Sequence, residues 1–179
     1  MDFPAGFLQQ IQGASGFEEG PFLLAHETAA PVSIRLNPNK KTNIQHTESV
    51  PWCSNAYYLP VRPAFVYDPL FHAGAYYVQE ASSMFTGYLF NTYADSTKAL
   101  KILDLCAAPG GKSTLIAGLM NEHSLLVSNE VIKSRARILK ENIDKWGNPN
   151  VVVTNNDPRD FSSLTNFFDV IIIDAPCSG

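Results

Sequence analysis

The chain has 179 residues, of which 45% are hydrophobic and 17% charged, and its formal net charge is −4. This length and composition predict a globular domain, alone or with a small appendage, and exclude a disordered or fibrous chain. No apolar run approaches the roughly 20 residues that a membrane span requires, and no basic segment opens a signal peptide. We therefore expect a soluble cytoplasmic protein with no membrane partner.

The negative net charge gives no support for a nucleic-acid partner, because domains that bind a polyanion usually have an excess of basic residues or a basic stripe on their surface. One segment departs from this balance: positions 133–145 hold Lys133, Arg135, Arg137, Lys140 and Lys145. The solvated face of a helix explains this cluster better than a nucleic-acid interface. Charge alone therefore neither establishes nor excludes RNA.

The three cysteines, Cys53, Cys106 and Cys177, are widely spaced, and no two of them form a C-x-x-C pair. An odd number at such spacing predicts neither a disulfide framework nor a zinc site. We expect a reducing environment and no bound metal.

Residues 1–72 are rich in proline and aromatic residues and carry only short periodic stretches. Weak helical patterns cover residues 2–12 and 17–28. Residues 32–36 (VSIRL) alternate apolar and polar side chains, which predicts a half-buried strand that ends at Asn37-Pro38-Asn39. Prolines then break the chain into short pieces. We predict a small N-terminal α+β appendage over residues 1–72.

Residues 73–179 alternate strands and helices regularly. The predicted helices cover residues 80–90, 112–121 and 131–146, and the predicted strands cover 100–105, 125–129, 151–153 and 169–174. Alternation of this length implies right-handed crossovers and a doubly wound parallel α/β sheet, in which the strands lie in the order 3-2-1-4. The last strand would then be an exposed apolar edge, which natural proteins avoid.

The loop after the first of these strands is the strongest candidate for a ligand site. Asp104 and Leu105 lead into Cys106, Ala107, Ala108, Pro109, Gly110, Gly111 and Lys112, which open a helix. Ligands bind at this position in open α/β sheets, and consecutive glycines allow close backbone approach. Gly111-Lys112-Ser113 matches the end of a phosphate-binding Walker loop, but Cys106 stands at its first glycine, and the pattern G-x-G-x-x-G is absent. An amino-acid carboxylate joined to a nucleoside fits the loop better than a triphosphate.

Two acidic residues follow the next two strands. Glu130 lies where a carboxylate accepts hydrogen bonds from ribose hydroxyls, and Asp157 lies where it could accept from an adenine amino group. Either residue alone would more often cap a helix or stabilise a turn. Together with the glycine loop, they favour an adenosine site.

The last predicted strand leads into Asp174-Ala175-Pro176-Cys177-Ser178-Gly179, which places a carboxylate and a thiol at the mouth of the same cleft. A free cysteine is usually a small buried apolar residue. Because Cys177 follows a proline in a loop, a reactive role is favoured over packing.

The two motifs DLCAAPGGK (residues 104–112) and DAPCSG (residues 174–179) together resemble the Nop/Sun family of RNA 5-methylcytosine methyltransferases, particularly the bacterial ribosomal RNA members. Residues 77–84 and 32–37 resemble further segments of that family, so the resemblance covers essentially the whole chain. It implies a Rossmann-like class I methyltransferase fold over residues 73–179 and S-adenosyl-L-methionine as cofactor, with the appendage of residues 1–72 as a candidate for contacts with the RNA.

The resemblance also implies roles for residues. Cys106 to Lys112 would surround the methionine part of the cofactor. Glu130 would bind the ribose and Asp157 the adenine, while Asp174 would lie between the cofactor and the target cytosine. Arg135 either adds a contact or belongs to a charged helix face. Cys53 and Cys106 are interpreted as structural.

The implied chemistry needs a thiolate that adds to cytosine C6 and thereby activates C5. The family uses two cysteines, and Cys177 matches the one that assists product release; it is also a reserve nucleophile. No residue matches the nucleophile of the later motif, and only four of the usual seven strands are present. We therefore expect either a chain truncated after DAPCSG or a domain whose missing strands come from another chain, and in both cases a chain that is inactive alone. A non-catalytic RNA-binding or assembly module that retains the cofactor fold is the alternative, and a P-loop nucleotide hydrolase is disfavoured by Cys106.

Overall fold

The computed structural model describes residues 3–175. Its helices and strands, in chain order, are α1 (Phe7–Ile11), α2 (Glu19–Glu27), β1 (Val32–Leu36), β2 (Ala56–Leu59), α3 (Pro69–His72), β3 (Tyr76–Val78), α4 (Ala81–Tyr93), β4 (Lys101–Asp104), α5 (Gly111–Ala117), β5 (Leu125–Asn129), α6 (Lys133–Trp146), β6 (Val151–Thr154) and β7 (Val170–Ile172). Short 3-10 segments cover Phe65–Tyr67 and Pro158–Ser163. Within residues 3–175, no helix is long and apolar enough to cross a membrane.

The chain divides into two compact units, Met1–Pro31 and Val32–Gly179. In the first unit, aromatic rings join the two short helices: the ring of Phe3 stacks on Phe7 at 5.4 Å, and the ring centre of Phe22 lies 4.3 Å from that of His26. Neither helix has a buried residue. Helices occur in both places where the sequence predicted them, but α1 is shorter than the predicted segment.

β1 is the central strand of a three-stranded antiparallel sheet of order β2-β1-β3. The predicted strand at residues 32–36 is confirmed, but the prediction that it is half-buried is wrong, since Ser33, Ile34 and Arg35 are all buried. Ile34 packs with Tyr76 on one face, while Arg35 on the other face reaches Thr114 of α5. The sheet is therefore covered on both sides at its centre.

The second sheet is parallel and has the order β6-β5-β4-β7. Leu103 of the central strand β4 pairs with Val127 on one side and Ile171 on the other. This confirms the predicted α/β class and the order 3-2-1-4, which follow from crossovers of one hand between short parallel strands. A cluster that includes Ile102, Ile116 and Leu126 forms its main apolar core.

The structure groups the three-stranded sheet with the parallel sheet, whereas the sequence suggested a division near residue 72. The reason is a set of long-range hydrogen bonds from β1 and the turn after it. Asn37 donates to the carbonyl oxygens of Gly74 (2.9 Å) and Trp146 (2.8 Å), and Lys40 donates to that of Lys145 (2.5 Å). These polar side chains show no apolar periodicity, so the sequence pattern did not reveal the connection.

Two helix boundaries differ from the prediction. α5 ends at Ala117 rather than near residue 121, because Gly118 closes the helix with bonds to Thr114 and Leu115. α6 buries Ala136, Leu139, Ile143 and Trp146, as the apolar stripe predicted, except that Ile132 precedes the helix and is exposed.

β7 pairs with β4 and, among the described residues, with no second strand. Ile171 and Ile173 are 55% and 64% exposed, and an open groove of about 1190 Å³ lies between this strand and α4. The predicted exposed apolar edge is therefore present in the described part of the chain.

Replacing Gly74 with alanine is expected to lower the free energy of unfolding by at least about 2 kcal/mol more than Gly147→Ala does. Both glycines have positive φ, 64° and 83°. A Cβ on Gly74 would lie 2.1 Å from the carbonyl oxygen of Lys145, whereas one on Gly147 meets only the end of Lys40 at 3.9 Å. Urea unfolding of both variants measures the difference, and equal losses would contradict the packing at Gly74.

Candidate cofactor site

The predicted site residues within the described range lie at one edge of the parallel sheet. Residues 106–110 connect β4 to α5, Glu130 directly follows β5, Asp157 lies three residues after β6, and Asp174 lies two residues after β7. Because parallel strands all point the same way, their carboxyl ends meet at this edge. Cys177 lies outside the described residues.

An open cavity of about 650 Å³ lies against the 106–112 loop. One wall is formed by Tyr77, Val78, Gln79, Glu80 and Ser83, and the other by Asp104, Cys106, Ala107, Ala108, Pro109, Gly111, Lys112 and Asp174. Three predicted residues do not line it: Gly110, Glu130 and Asp157. Gly110 instead makes the turn with φ of 110°, and a Cβ there would lie 3.2 Å from Leu139. The cavity therefore lies at the loop to which the sequence analysis assigned the methionine part of the cofactor, and that assignment stays a prediction.

Asp104 lines the cavity and was not among the predicted cofactor ligands. It is 1% exposed, its Oδ2 accepts a hydrogen bond from Ser113 (2.7 Å), and its Oδ1 has no partner among the described residues. Burial raises the pKa of its carboxyl from 3.8 to about 6, although the bond from Ser113 opposes the rise. A buried carboxylate with an unused oxygen is costly to the protein and suited to a ligand donor.

Lys112 and Asp174 form an ion pair across the cavity edge, which joins the start of α5 to the end of β7. The side chain of Asp174 is 60% exposed and that of Lys112 is 22% exposed. The positive charge of Lys112 also opposes the rise in the pKa of Asp104. Lys112 therefore interacts favourably with two carboxylates at this edge, those of Asp104 and Asp174.

Asn129, which the sequence analysis did not single out, holds the strand-end loops together. Its side-chain amide donates hydrogen bonds to the backbone carbonyl oxygens of Leu105 (3.2 Å) and Asn156 (3.0 Å). Its backbone carbonyl oxygen accepts a hydrogen bond from the backbone N–H of Ala107 (2.7 Å). It is completely buried. A polar residue that ends an apolar strand was the only signal in the sequence.

Glu130 is buried and connects the start of α6 to the loop. Its Oε1 accepts from the backbone N–H of Ile132 (2.9 Å), and its Oε2 lies 3.6 Å from Arg135. Arg135 in turn donates to the carbonyl oxygen of Ala108 (2.8 Å). Of the two interpretations from sequence, the structure shows the turn-stabilising contact, and a ribose contact stays a prediction.

Asp157 caps the 3-10 segment Pro158–Ser163, with Oδ1 accepting from the backbone N–H of Arg159 (2.9 Å). The Arg159 guanidinium donates to both carboxylate oxygens. These bonds lower the pKa of Asp157 to about 2. Asp157 therefore has the local capping role that the sequence left open, and its predicted adenine contact stays a prediction.

Burial raises the pKa of the Cys106 thiol above its usual value, and the neighbouring carboxylates of Glu130 and Asp104 raise it further. Burial also raises the pKa of Cys53. Because the thiolate is the nucleophilic form, neither cysteine is prepared for attack.

Two family models match the chain, and together they extend over nearly all of it. The model described as 16S rRNA methyltransferase RsmB/F matches residues 92–179, and the N-terminal domain of 16S rRNA methyltransferase RsmF matches residues 3–81. The chain belongs to the Nop/Sun family of RNA methyltransferases. The two models of this family meet between residues 81 and 92, at α4, which is later in the chain than residue 72.

Similar proteins carry the same assignment. Ribosomal RNA small subunit methyltransferase F from Escherichia coli is 35% identical, in a match over 99% of this chain and 40% of the relative. This Nop/Sun chain therefore spans less than half the length of that protein. Among solved structures, a methyltransferase homologue from Pyrococcus horikoshii is 26% identical with a TM-score of 0.74, over 99% of this chain and 65% of the other. NSun6 from Pyrococcus horikoshii with SFG is 34% identical with a TM-score of 0.57, over 65% of this chain and 29% of the other.

Proposed function

We propose that the chain is the S-adenosylmethionine-binding part of a cytoplasmic enzyme that methylates cytosine C5 in ribosomal RNA. Relatives named as ribosomal RNA small subunit methyltransferases support the reaction class and the RNA. The observation that carries the proposal is the buried Asp104 carboxylate, whose Oδ1 is unused in the cavity beside the 106–112 loop.

The residues at the cavity suit the methionine end of the cofactor. The α-ammonium of the cofactor can donate a hydrogen bond to the unused Oδ1 of Asp104. A charge-assisted bond of this kind offsets the cost of burying the carboxylate. Residues 106–112 would hold the methionine part, Glu130 the ribose hydroxyls and Asp157 the adenine amino group. When bound, S-adenosylmethionine supplies an electrophilic methyl group on a sulfonium.

Asp174 is the described residue best placed to act between cofactor and base, because it lies at the cavity edge and is largely exposed. Its ion pair with Lys112 holds the carboxylate at the end of β7. A carboxylate there can accept a hydrogen bond from the exocyclic amine of a cytosine and so orient the ring.

The proposed chemistry at the base is covalent. A cysteine thiolate would add to C6, and C5 would become nucleophilic and take the methyl group from the sulfonium, which leaves S-adenosylhomocysteine. A base would then remove the C5 proton, and the thiolate would leave C6. Cys177 is proposed to assist release or to act as reserve nucleophile. The target base must leave its stack to reach such a site.

The product identifies the reaction. The gene product read to its stop codon, incubated with undermethylated ribosomal RNA and S-adenosylmethionine, is expected to form 5-methylcytidine, measured by mass spectrometry of the digested nucleosides. Methylation of cytosine N4 or of another base by that product would contradict the proposal.

A further inference from the structure

A second groove lies beside the cofactor cavity and has no role in the function proposed above. We call it the aromatic groove, and it is an open space of about 720 Å³ whose principal lining residues are Arg62, Phe65, Phe71, Tyr76, Tyr77 and Lys145. The rings of Phe65, Phe71 and Tyr76 form one group, in which each pair of ring centres is 6.0–6.4 Å apart. Phe65 and Phe71 are only partly buried, so part of this aromatic wall is accessible.

Cations flank the rings on both sides. The guanidinium of Arg62 lies 5.7 Å from the centre of the Phe65 ring, and the ammonium of Lys145 lies 5.9 Å from that of Phe71. Neither forms a salt bridge with any described residue. Lys40 adds a third positive charge nearby, since it donates to the carbonyl oxygens of Ala73 and Lys145.

Among residues 3–175, no carboxylate lines the groove. The acidic side chains nearest in sequence to its cations have other partners: Asp68 accepts from the Tyr76 hydroxyl (2.6 Å), and Asp144 pairs with Lys140 (2.5 Å). In a chain whose net charge is −4, this local positive surface is complementary to a polyanion.

The groove shares a wall with the cofactor cavity, because Tyr77 and Val78 line both. The Tyr77 hydroxyl (3.3 Å) and the Asn142 amide (2.8 Å) both donate to the carbonyl oxygen of Pro109 in the 106–112 loop. A strand that occupied the groove would therefore lie next to the site of the reaction.

We propose that the aromatic groove binds an unpaired stretch of the substrate RNA, with phosphates against Arg62 and Lys145 and a base against the exposed parts of Phe65 and Phe71. Aromatic rings with interspersed cations are the means by which proteins hold single strands without reading sequence. This inference rests on the proposed function, since it assumes that the substrate is RNA. The cofactor cavity and the groove can nevertheless be tested separately.

Fluorescence anisotropy with a labelled single-stranded RNA of about ten nucleotides tests the groove directly. The double variant Arg62→Ala/Lys145→Ala is expected to bind the RNA at least about tenfold more weakly at physiological salt, and the slope of log affinity against log salt should fall by about 1.4. The matched control Lys133→Ala/Arg137→Ala removes the same charge from exposed α6 positions outside the groove and should change affinity less than about twofold.

Phe65→Leu keeps an apolar side chain but removes the ring, and is expected to weaken RNA binding about fivefold or more. Affinity for S-adenosylhomocysteine should be unchanged in every variant, so failure of the groove and failure of the cofactor site are distinguishable. Photocrosslinking of 4-thiouridine RNA to the unmodified chain, mapped by mass spectrometry, requires no variant to fold and should label groove residues.

Several results would overturn the proposal: equal weakening by the α6 control, an unchanged affinity in Phe65→Leu, crosslinks confined to other surfaces, or no measurable RNA binding. An acidic peptide that binds the groove as tightly as the RNA would also overturn it, because the groove would then serve a protein partner.

Discussion

Replacing Arg35 with methionine is expected to lower the free energy of unfolding by about 3–5 kcal/mol. The side chain is 2% exposed, and its guanidinium donates to Gln79 Oε1 (3.1 Å), Thr114 Oγ1 (2.7 Å) and the carbonyl oxygen of Gly111 (3.2 Å). It also lies 4.5 Å from the ring centre of Trp146. Methionine fills much of the volume but removes these three hydrogen bonds, and it leaves the oxygen of the buried Gln79 side chain without its donor from Arg35, which alone costs about 1–3 kcal/mol.

The positive charge of Arg35 destabilises the fold, because burial lowers its pKa from 12.5 to about 10 and no carboxylate in the described part of the chain pairs with it. The hydrogen bonds offset this cost and connect β1 to the start of α5. Arg35→Lys keeps a cation but loses the planar fork, so it should also destabilise the chain, by about 2 kcal/mol. Urea unfolding followed by circular dichroism measures both variants.

Arg137→Met is the matched control, since Arg137 is exposed on α6 and the same substitution there should change stability by less than about 0.5 kcal/mol. Because Gly111 belongs to the cofactor loop, Arg35→Met should also weaken S-adenosylhomocysteine binding. An Arg35→Met variant as stable as the unmodified chain would show that the guanidinium network contributes nothing net.

Asp104→Asn is expected to weaken S-adenosylhomocysteine binding by about tenfold to a hundredfold, because a neutral amide replaces the charged acceptor for the α-ammonium. The same change should not lower the free energy of unfolding at pH 7. The buried carboxylate, with Oδ1 unused, destabilises the cofactor-free chain when it is ionised. Titration calorimetry and urea unfolding measure the two effects.

The pH dependence follows from the raised pKa of Asp104, which burial moves from 3.8 to about 6. Between these pH values the folded chain binds the Asp104 proton more tightly than the unfolded chain does. The stabilisation that comes from this tighter proton binding is fully present below about pH 4 and is lost as pH rises through about 6. Cofactor binding has the opposite dependence, because the ionised carboxylate is the acceptor. Affinity should therefore fall as pH is lowered through about 6.

The difference between the unmodified chain and Asp104→Asn at pH 5 and pH 7 isolates this residue from the other acids. Asp144→Asn is a suitable control, because Asp144 is exposed and pairs only with Lys140 among the described residues. Unchanged cofactor affinity in Asp104→Asn would contradict the assigned role, and so would marked destabilisation of that variant at pH 7.

The order of the parallel sheet could be predicted because it follows from local patterns and one general rule of handedness. The position of the 106–112 loop could be predicted for the same reason, since a loop after a central strand lies at the carboxyl edge. The burial of Arg35 could not, because an arginine in an alternating strand predicts an exposed face. Contacts with residues distant in sequence cover it, among them Thr114 of α5 and Trp146 of α6.

The candidate site also combines features that the sequence predicts with features that only the folded chain determines. The acids at Glu130 and Asp157 were placed correctly at strand ends, but their local contacts with Ile132 and Arg159 depend on backbone geometry that the sequence does not specify. Asp104 was identified at the start of the loop, but no contact with the cofactor was assigned to it. Its burial and its unused Oδ1 depend on the packing of the folded chain, in which its other oxygen accepts a hydrogen bond from Ser113 (2.7 Å).

The most direct test of the account is the titration of residues 1–179 with S-adenosylhomocysteine, followed by competition with ATP. We expect one molecule to bind to each chain, weakly and in the cavity beside the 106–112 loop, so that Asp104→Asn reduces the heat signal and ATP does not displace the ligand. Absence of binding by the folded chain, or displacement by ATP, would contradict the assignment of the cavity to S-adenosylmethionine.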